Sequence, residues 1–169
     1  MPYRPLDTKD RRILELVQRD ATLAQAEIAR RVGLSTAAVN ERLKKLRHAG
    51  VIRRFTAIVD PAAVGATVTA FIEVFLEHPR FEAGFLAHVL QLREVLECHH
   101  ITGEFSLLLK VRTHDMRALQ RLLLGGLSAR KGVRQTRTVM VLSTAKEETH
   151  IDTAPGTACC GSRSSAGRP

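Results

Sequence analysis

The sequence predicts an α+β chain in two parts, a three-helix unit of helix-turn-helix form over residues 1–50 and a βαββαβ sandwich over residues 66–150. Three observations carry that reading. Apolar residues recur at helical spacing as far as Gly50, a glycine separates two of those stripes at Gly33, and after residue 66 the apolar period switches back and forth between strand and helix values. Residues 51–65 read as an extended connector. Residues 151–169 read as a disordered tail, whose part from Pro155 is a Gly, Ser, Ala and Pro mixture with no apolar period.

The first helix opens at Asp7, which can cap the N-terminus, with Asp10 near the third position, where negative charge meets the positive end of the helix dipole. Ile13, Leu14, Leu16 and Val17 form its buried face. The second helix is expected to start at Thr22, which has Gln25 three residues on as a capping-box partner; Ala24 has Glu27 at that spacing but no hydroxyl. Its stripe is Ile28, Ala29 and Val32, and the small Ala29 lets a neighbouring axis come close. Gly33 ends this helix at positive φ, Leu34 packs at the bend, and Ser35 caps the third helix. Val39, Leu43 and Leu46 turn inward. Gly50 ends the element, and Val51 to Val59 reads as extended until Asp60-Pro61 stops it.

Two short helices clamped around a glycine turn form either an ordinary αα-hairpin or the geometry that places a helix in DNA. Charge favours the second. Residues 1–65 hold 13 Lys and Arg against 7 Asp and Glu, whereas residues 66–150 hold 11 against 9. A basic module of this kind attracts a phosphate backbone and sheds counterions, so its binding should weaken with salt. With Val39, Leu43 and Leu46 inside, Ala37, Glu41, Lys44 and His48 face outward, and Thr36 and Asn40 flank the N-terminal half. Asn40 can pair bidentately with adenine and Glu41 can accept from cytosine, while Arg30, Arg31, Lys44 and Arg47 are placed to hold phosphates. Ser35, Thr36 and Ala37 complete the candidate DNA-binding set.

In the second part, Val68, Ala70, Ile72, Val74 and Leu76 alternate with Thr69, Phe71, Glu73, Phe75 and Glu77, giving a strand with two distinct faces. Phe81, Phe85, Leu86, Val89 and Leu90 follow at helical spacing. Strands are expected at Val95–Ile101 and Phe105–Arg112, joined as a hairpin by Thr102-Gly103-Glu104. A helix lined by Met116, Leu119, Gln120, Leu123 and Leu127 then precedes a strand at Gln135–Leu142. This order suggests a ferredoxin-like sandwich with helices on one sheet face. The other face, carrying Phe71 and Phe75, needs a partner, and pairing two copies across it gives a homodimer or higher even oligomer. Two reading helices about 34 to 36 Å apart would favour a pseudo-palindromic site.

The succession Leu6-Asp7-x-x-Asp10, Ile28-Ala29-x-x-Val32-Gly33-Leu34-Ser35, Gly50-Val51-Ile52, Asp60-Pro61 and Gly65 continues with Cys98 to Ser106 and Gly132-Val133-x-x-Thr136-x-Thr138. It resembles the Lrp/AsnC family of feast-or-famine transcription regulators, from Leu6 to about Glu148. The resemblance implies a winged or extended helix-turn-helix, dimers or higher oligomers, and a RAM- or ACT-like module that responds to amino acids. It also implies an effector site near a Gly-x-x-Asp hairpin and the last strand, which map to Gly103, Glu104, Ser106, Thr136 and Thr138. Ser106 departs from that pattern. A serine cannot pair with an α-ammonium as a carboxylate does, so either Glu104 substitutes, the ligand differs, or sensing is lost. On the residues alone, Gly103 permits a turn and the threonines are ordinary strand residues.

Other chemistry is poorly supported. Cys98, His99, His100 and His114 include metal-ligand types, but only Cys98 and His100 share a strand face, so no metal is expected. Three cysteines without a framework fit a reducing cytoplasm, and Cys159-Cys160 lie in the tail. No Gly-rich phosphate loop, no apolar stretch of ~18 residues and no signal peptide at Met1-Pro2-Tyr3-Arg4 stands out. The expectation is a cytoplasmic, nucleoid-associated, non-enzymatic regulator without cofactor. Its partners are double-stranded DNA, a second copy and an amino-acid effector, with no membrane. Three alternatives stay open. They are a sirohaem-decarboxylase-like enzyme using His99 and His100, a nucleoid-organising protein with little sequence preference, and a sensing subunit that touches no DNA.

Overall fold

A computed structural model describes residues 5–153. The tail from Pro155, with Cys159 and Cys160, and the segment Met1 to Arg4 lie outside the described residues. Two compact units emerge, residues 5–57 with 148–153, and residues 58–147.

In the first unit, α1 (Thr8–Arg19) begins in a reciprocal capping box: Asp7 accepts the Asp10 amide at 2.7 Å, and Asp10 accepts the Asp7 amide at 3.4 Å. The second helix, α2 (Gln25–Val32), starts after Ala24 rather than at Thr22. The reason is competition. Asp20 accepts both the Thr22 amide, at 2.8 Å, and its hydroxyl, at 2.6 Å, which turns the Thr22 side chain back toward Asp20 and holds it in a turn instead of a helix cap. Gly33 leaves α2 at φ 65°, Leu34 donates back to the Ala29 carbonyl at 3.0 Å, and the Lys9 ammonium donates to the Val32 carbonyl. After the turn comes α3 (Thr36–His48), whose cap is the Ser35 hydroxyl, accepting the Ala38 amide at 3.2 Å. Ile13, Ile28 and Val39 sit at the centre of the core, and Ile52 joins it, so the expected connector begins as part of this unit.

Residues 148–153 also belong to the first unit. Gln18 both donates to the Ile151 carbonyl, at 3.0 Å, and accepts its amide, at 2.9 Å, while Arg11 donates to the Thr153 carbonyl at 2.6 Å. The start of the expected tail is therefore bound, because side chains of α1 satisfy a backbone that has no strand beside it.

In the second unit, β1 (Val68–Leu76) is followed by a 3₁₀ turn at Pro79–Phe81 and α4 (Glu82–Val89). Next come β2 (Val95–His100) and β3 (Leu107–Thr113), and finally β4 (Val133–Met140) after the second helix. The antiparallel sheet has the order β2-β3-β1-β4, the ferredoxin-like arrangement. Ala70, Ile72, Val74, Leu107, Leu109 and Val111 turn toward the helices and are fully buried.

Three elements depart from expectation. The second helix is α5 (Met116–Arg121) continued by a π-helical turn over Leu122–Ser128. Five-residue spacing brings Leu122 and Leu127 into the core together, and Gly125-Gly126 tolerates the wider turn. A bulge at Phe75/Leu76 lets β4 pair from Val133, two residues early. Phe105 lies outside β3 yet is buried. The open face is also more polar than its two half-buried phenylalanines suggest, since Arg137 pairs with Glu73, and Lys110 and Arg112 both pair with Glu147.

Candidate nucleic-acid interface

Burial of Val39, Leu43 and Leu46 fixes which side of α3 meets solvent. Thr36, Ala37, Glu41, Lys44 and Arg47 are exposed and Asn40 is half-buried, so the side expected to read bases is open. Lys44 and Arg47 make no ion pair among the described residues, while Glu41 faces Lys45 one turn on at 3.4 Å. Ser35 is committed to its cap.

The two arginines of α2 are less free. Glu27 accepts Arg30 through Nη2 at 2.7 Å and Nε at 2.9 Å, and Arg31 through Nε at 2.6 Å. Those hydrogen bonds hold the Glu27 carboxyl down to about 2 and raise Arg30. Both guanidiniums keep unused N–H groups and remain exposed, so Glu27 orients them without capping their charge.

Arg42 is the residue that sequence reasoning missed. Its Nη1 donates to Asp7 and to Asp10, each at 2.6 Å, tying α3 to the capped start of α1. The Asp10 amide, and after it Arg42, keeps the Asp7 carboxyl below its usual range. The signal was two carboxylates left at the head of α1; what hid it was the choice among the several cations of α3, which only tertiary approach decides. Asp10 is 7% exposed. Replacing Arg42 with methionine leaves it under-partnered, and a loss of about 1–3 kcal/mol is expected in urea unfolding. Arg42→Lys should recover part of that, because a single nitrogen makes both contacts.

The five candidate effector residues fall into two groups. Gly103, at φ 121°, and the exposed Glu104 shape the β2–β3 loop, which closes where Ile101 donates to the Ser106 carbonyl at 3.1 Å. Ser106 in turn donates to Val74 at 3.0 Å, and Thr136 is the register partner of Val74 on the other side of β1. Ser106 and Thr136 thus flank one residue of β1, roughly 10 Å apart by strand spacing. Thr136 and Thr138 lie opposite Val74 and Ile72 on the helix-covered side, and the Thr136 hydroxyl meets Ser128 at 3.2 Å. The Glu73 carboxylate, through its hydrogen bond and charge, raises Arg137, and the charge of Glu104 adds to that. A cavity of about 260 Å3 opens elsewhere, lined by Leu6, Asp10, Ala38, Arg42 and Leu46 among others.

His99 pairs with Glu97 at 3.1 Å and His100 with Glu82 at 2.9 Å, so the two histidines engage different carboxylates. No cluster of three or more metal-ligating side chains occurs among the described residues, and no helix there is long and apolar enough to cross a membrane.

Comparison with known proteins adds independent observations. Residues 6–53 match a winged helix-turn-helix DNA-binding family, and residues 69–151 match the Lrp/AsnC ligand binding domain. The HTH-type transcriptional regulator FL11 of Pyrococcus abyssi is 36% identical over 146 residues, covering 86% of this chain and 95% of that protein. The leucine-responsive regulatory protein of Escherichia coli K12 is 36% identical over 152 residues, covering 89% of this chain and 93% of that protein. Among solved structures, a transcriptional regulator of Neisseria meningitidis in complex with L-methionine superposes with a TM-score of 0.82 at 33% identity, covering 87% of this chain and 96% of that one. AsnC of Escherichia coli gives 0.81 at 31% identity, covering 87% and 99%.

Proposed function

The chain belongs to the Lrp/AsnC family of transcriptional regulators, and from that premise we propose that the open side of α3 reads base edges in the major groove while paired sandwiches set the spacing between two such helices. The observation that carries this is the division of α3 itself, with Val39, Leu43 and Leu46 buried and Ala37, Glu41, Lys44 and Arg47 in solvent. Ala37 is small enough to let the helix approach the groove. Asn40 supplies base readout, and Lys44 and Arg47, assisted by Arg30 and Arg31, hold phosphates. A homodimer is supported by the open sheet face with Phe71 and Phe75, and the acting form is cytoplasmic and nucleoid-associated. Titration of the purified chain against duplex DNA at rising salt tests the reading. Affinity should fall steeply with salt, and a chain that binds no duplex at low salt would refute it.

The effector is an amino acid or related metabolite in this proposal, held near Gly103, Glu104, Ser106, Thr136 and Thr138. The complex of the similar Neisseria protein with L-methionine supports the ligand class. Glu104 takes the part of the missing carboxylate and receives the α-ammonium. Thermal-shift screening of the twenty amino acids is the check. A ligand at 100 times its Kd should stabilise by about 2.7 kcal/mol, or about 5–10 °C for a chain of this size. Glu104→Gln should abolish that shift; silence from all twenty would remove amino acids as effectors.

A further inference from the structure

The small net charge of the sandwich conceals a sharp polarity. Residues 58–115 carry four Lys and Arg against eight Asp and Glu, while residues 116–146 carry seven Lys and Arg and no acid at all. Of those seven, Arg137 is neutralised by Glu73. The other six, Arg117, Arg121, Arg130, Lys131, Arg134 and Lys146, are exposed and make no ion pair among the described residues.

Four of these six lie along the second helix and the turn that follows it. Arg117 and Arg121 stand one turn apart on α5, and Arg130 and Lys131 follow the end of its π-helical extension. Lys131 lies 6.0 Å from the Phe81 ring centroid, and Arg80, from the other half of the unit, lies 4.7 Å from the same ring, so two cations converge there. Arg134 stands apart from them, over Phe75 at 5.6 Å on the open sheet face. Along this row, helical rise from Met116 to Ser128 gives at most roughly 18 Å, the length of about five base pairs, with Arg130 and Lys131 just beyond its far end.

Helix stability does not account for the row. Arg130 and Lys131 suit the negative end of the helix dipole, but Arg117 stands in the first turn of α5, where the dipole repels a cation and where the one nearby carboxylate, the Asp115 cap, is engaged with the Ala118 amide at 2.6 Å. A surface with this much uncompensated charge fits an extended polyanion. The alternative occupant, the acidic half of another copy, would offer a scattered set of carboxylates in place of a continuous polyanion, and three of its eight, Glu73, Glu82 and Glu97, already have cationic or histidine partners within the unit.

We propose that this row is a second DNA-contact surface, carried by the sandwich, that binds the phosphates of duplex flanking the site read by α3. The proposal rests on the DNA-binding reading above and extends it from the helix-turn-helix unit to the sensing unit. It makes the length of duplex, and not only its sequence, a determinant of affinity.

The test uses the full chain and a combined variant, Arg117→Gln, Arg121→Gln, Arg130→Gln and Lys131→Gln. A site selected from a random-sequence pool is presented in a duplex of about two helical turns and again with about four further turns of flank. On the short duplex the variant should match the unaltered chain. On the long duplex its affinity should drop at least tenfold, and the slope of log K against log salt should flatten by about 2 to 4, at roughly 0.9 for each phosphate no longer neutralised. An unchanged slope on the long duplex overturns the proposal, as does an equal loss on both duplexes. A changed assembly size in sedimentation with an unchanged slope assigns the row to an interface between copies and overturns it too. Arg117→Gln with Arg121→Gln alone, both exposed, repeats the test if the fourfold variant melts early. Binding of neither duplex by the unaltered chain refutes the DNA-binding reading itself, an outcome distinct from all of these.

Discussion

Asn40→Ala combined with Lys44→Ala should weaken specific DNA binding by about 30- to 1000-fold, corresponding to roughly 2–4 kcal/mol. The carboxamide of Asn40 is the one side chain on the open half of α3 able to make a bidentate contact with adenine, and a pair of that kind discriminates by about 1–3 kcal/mol. In the proposed complex Lys44 holds a phosphate, so its removal should also reduce the salt slope by about 0.9 per copy bound. Neither side chain makes a hydrogen bond or an ion pair among the described residues, and alanine is the best helix former. The melting temperature should therefore stay where it is. Band-shift titrations beside a thermal melt separate the two effects, and unchanged affinity would remove α3 from the interface.

Gly132→Val should unfold or severely loosen the sandwich. Gly132 sits at φ +87°, and a Cβ there would fall 2.2 Å from Cγ of Phe81 and 2.4 Å from its Cβ. Left-handed strain of about 1–2 kcal/mol adds to overpacking of about 1–3 kcal/mol. Relief cannot come from the ring alone, because the contact reaches the Phe81 Cβ and so its backbone. A loss of at least about 3 kcal/mol would lower the transition of this unit by about 12 °C or more. Gly50→Ala makes a useful contrast. That glycine also has positive φ, 71°, but nothing lies within 4 Å of the added carbon, so only the strain should register. Calorimetry that found the two variants equal would show that the Phe81 side chain yields easily.

The residues that carry the fold were readable where one local interaction settles them. Gly33, Ser35 and the stripe Val39, Leu43, Leu46 define the turn and the orientation of α3, and the structure has them in those roles. Alternation from Val68 to Leu76 likewise identified the two faces of β1. Legibility ended where two local options competed: Thr22 looked like a cap until Asp20 claimed its hydroxyl and amide. It ended again where the deciding partner is remote. Nothing near Arg42 in sequence says that it, rather than Lys45 or Arg47, closes on Asp7 and Asp10. The π-helical turn left a visible mark in the five-residue step from Leu122 to Leu127 beside Gly125-Gly126, but an α-helical template absorbs such a step unnoticed. The polarity of the sandwich was present in the sequence as well, and was hidden by counting charge over residues 66–150 as a whole.

The binding of Ile151 and Thr153 to α1 means that the DNA-reading half is discontinuous in the gene: its polypeptide leaves at Ala57, runs through the whole sandwich, and comes home at Glu148. Residues 5–57 expressed by themselves would lack their closing segment. The sandwich is thus moored at both of its ends, and any rearrangement inside it can pull on the reading half along two covalent lines instead of one.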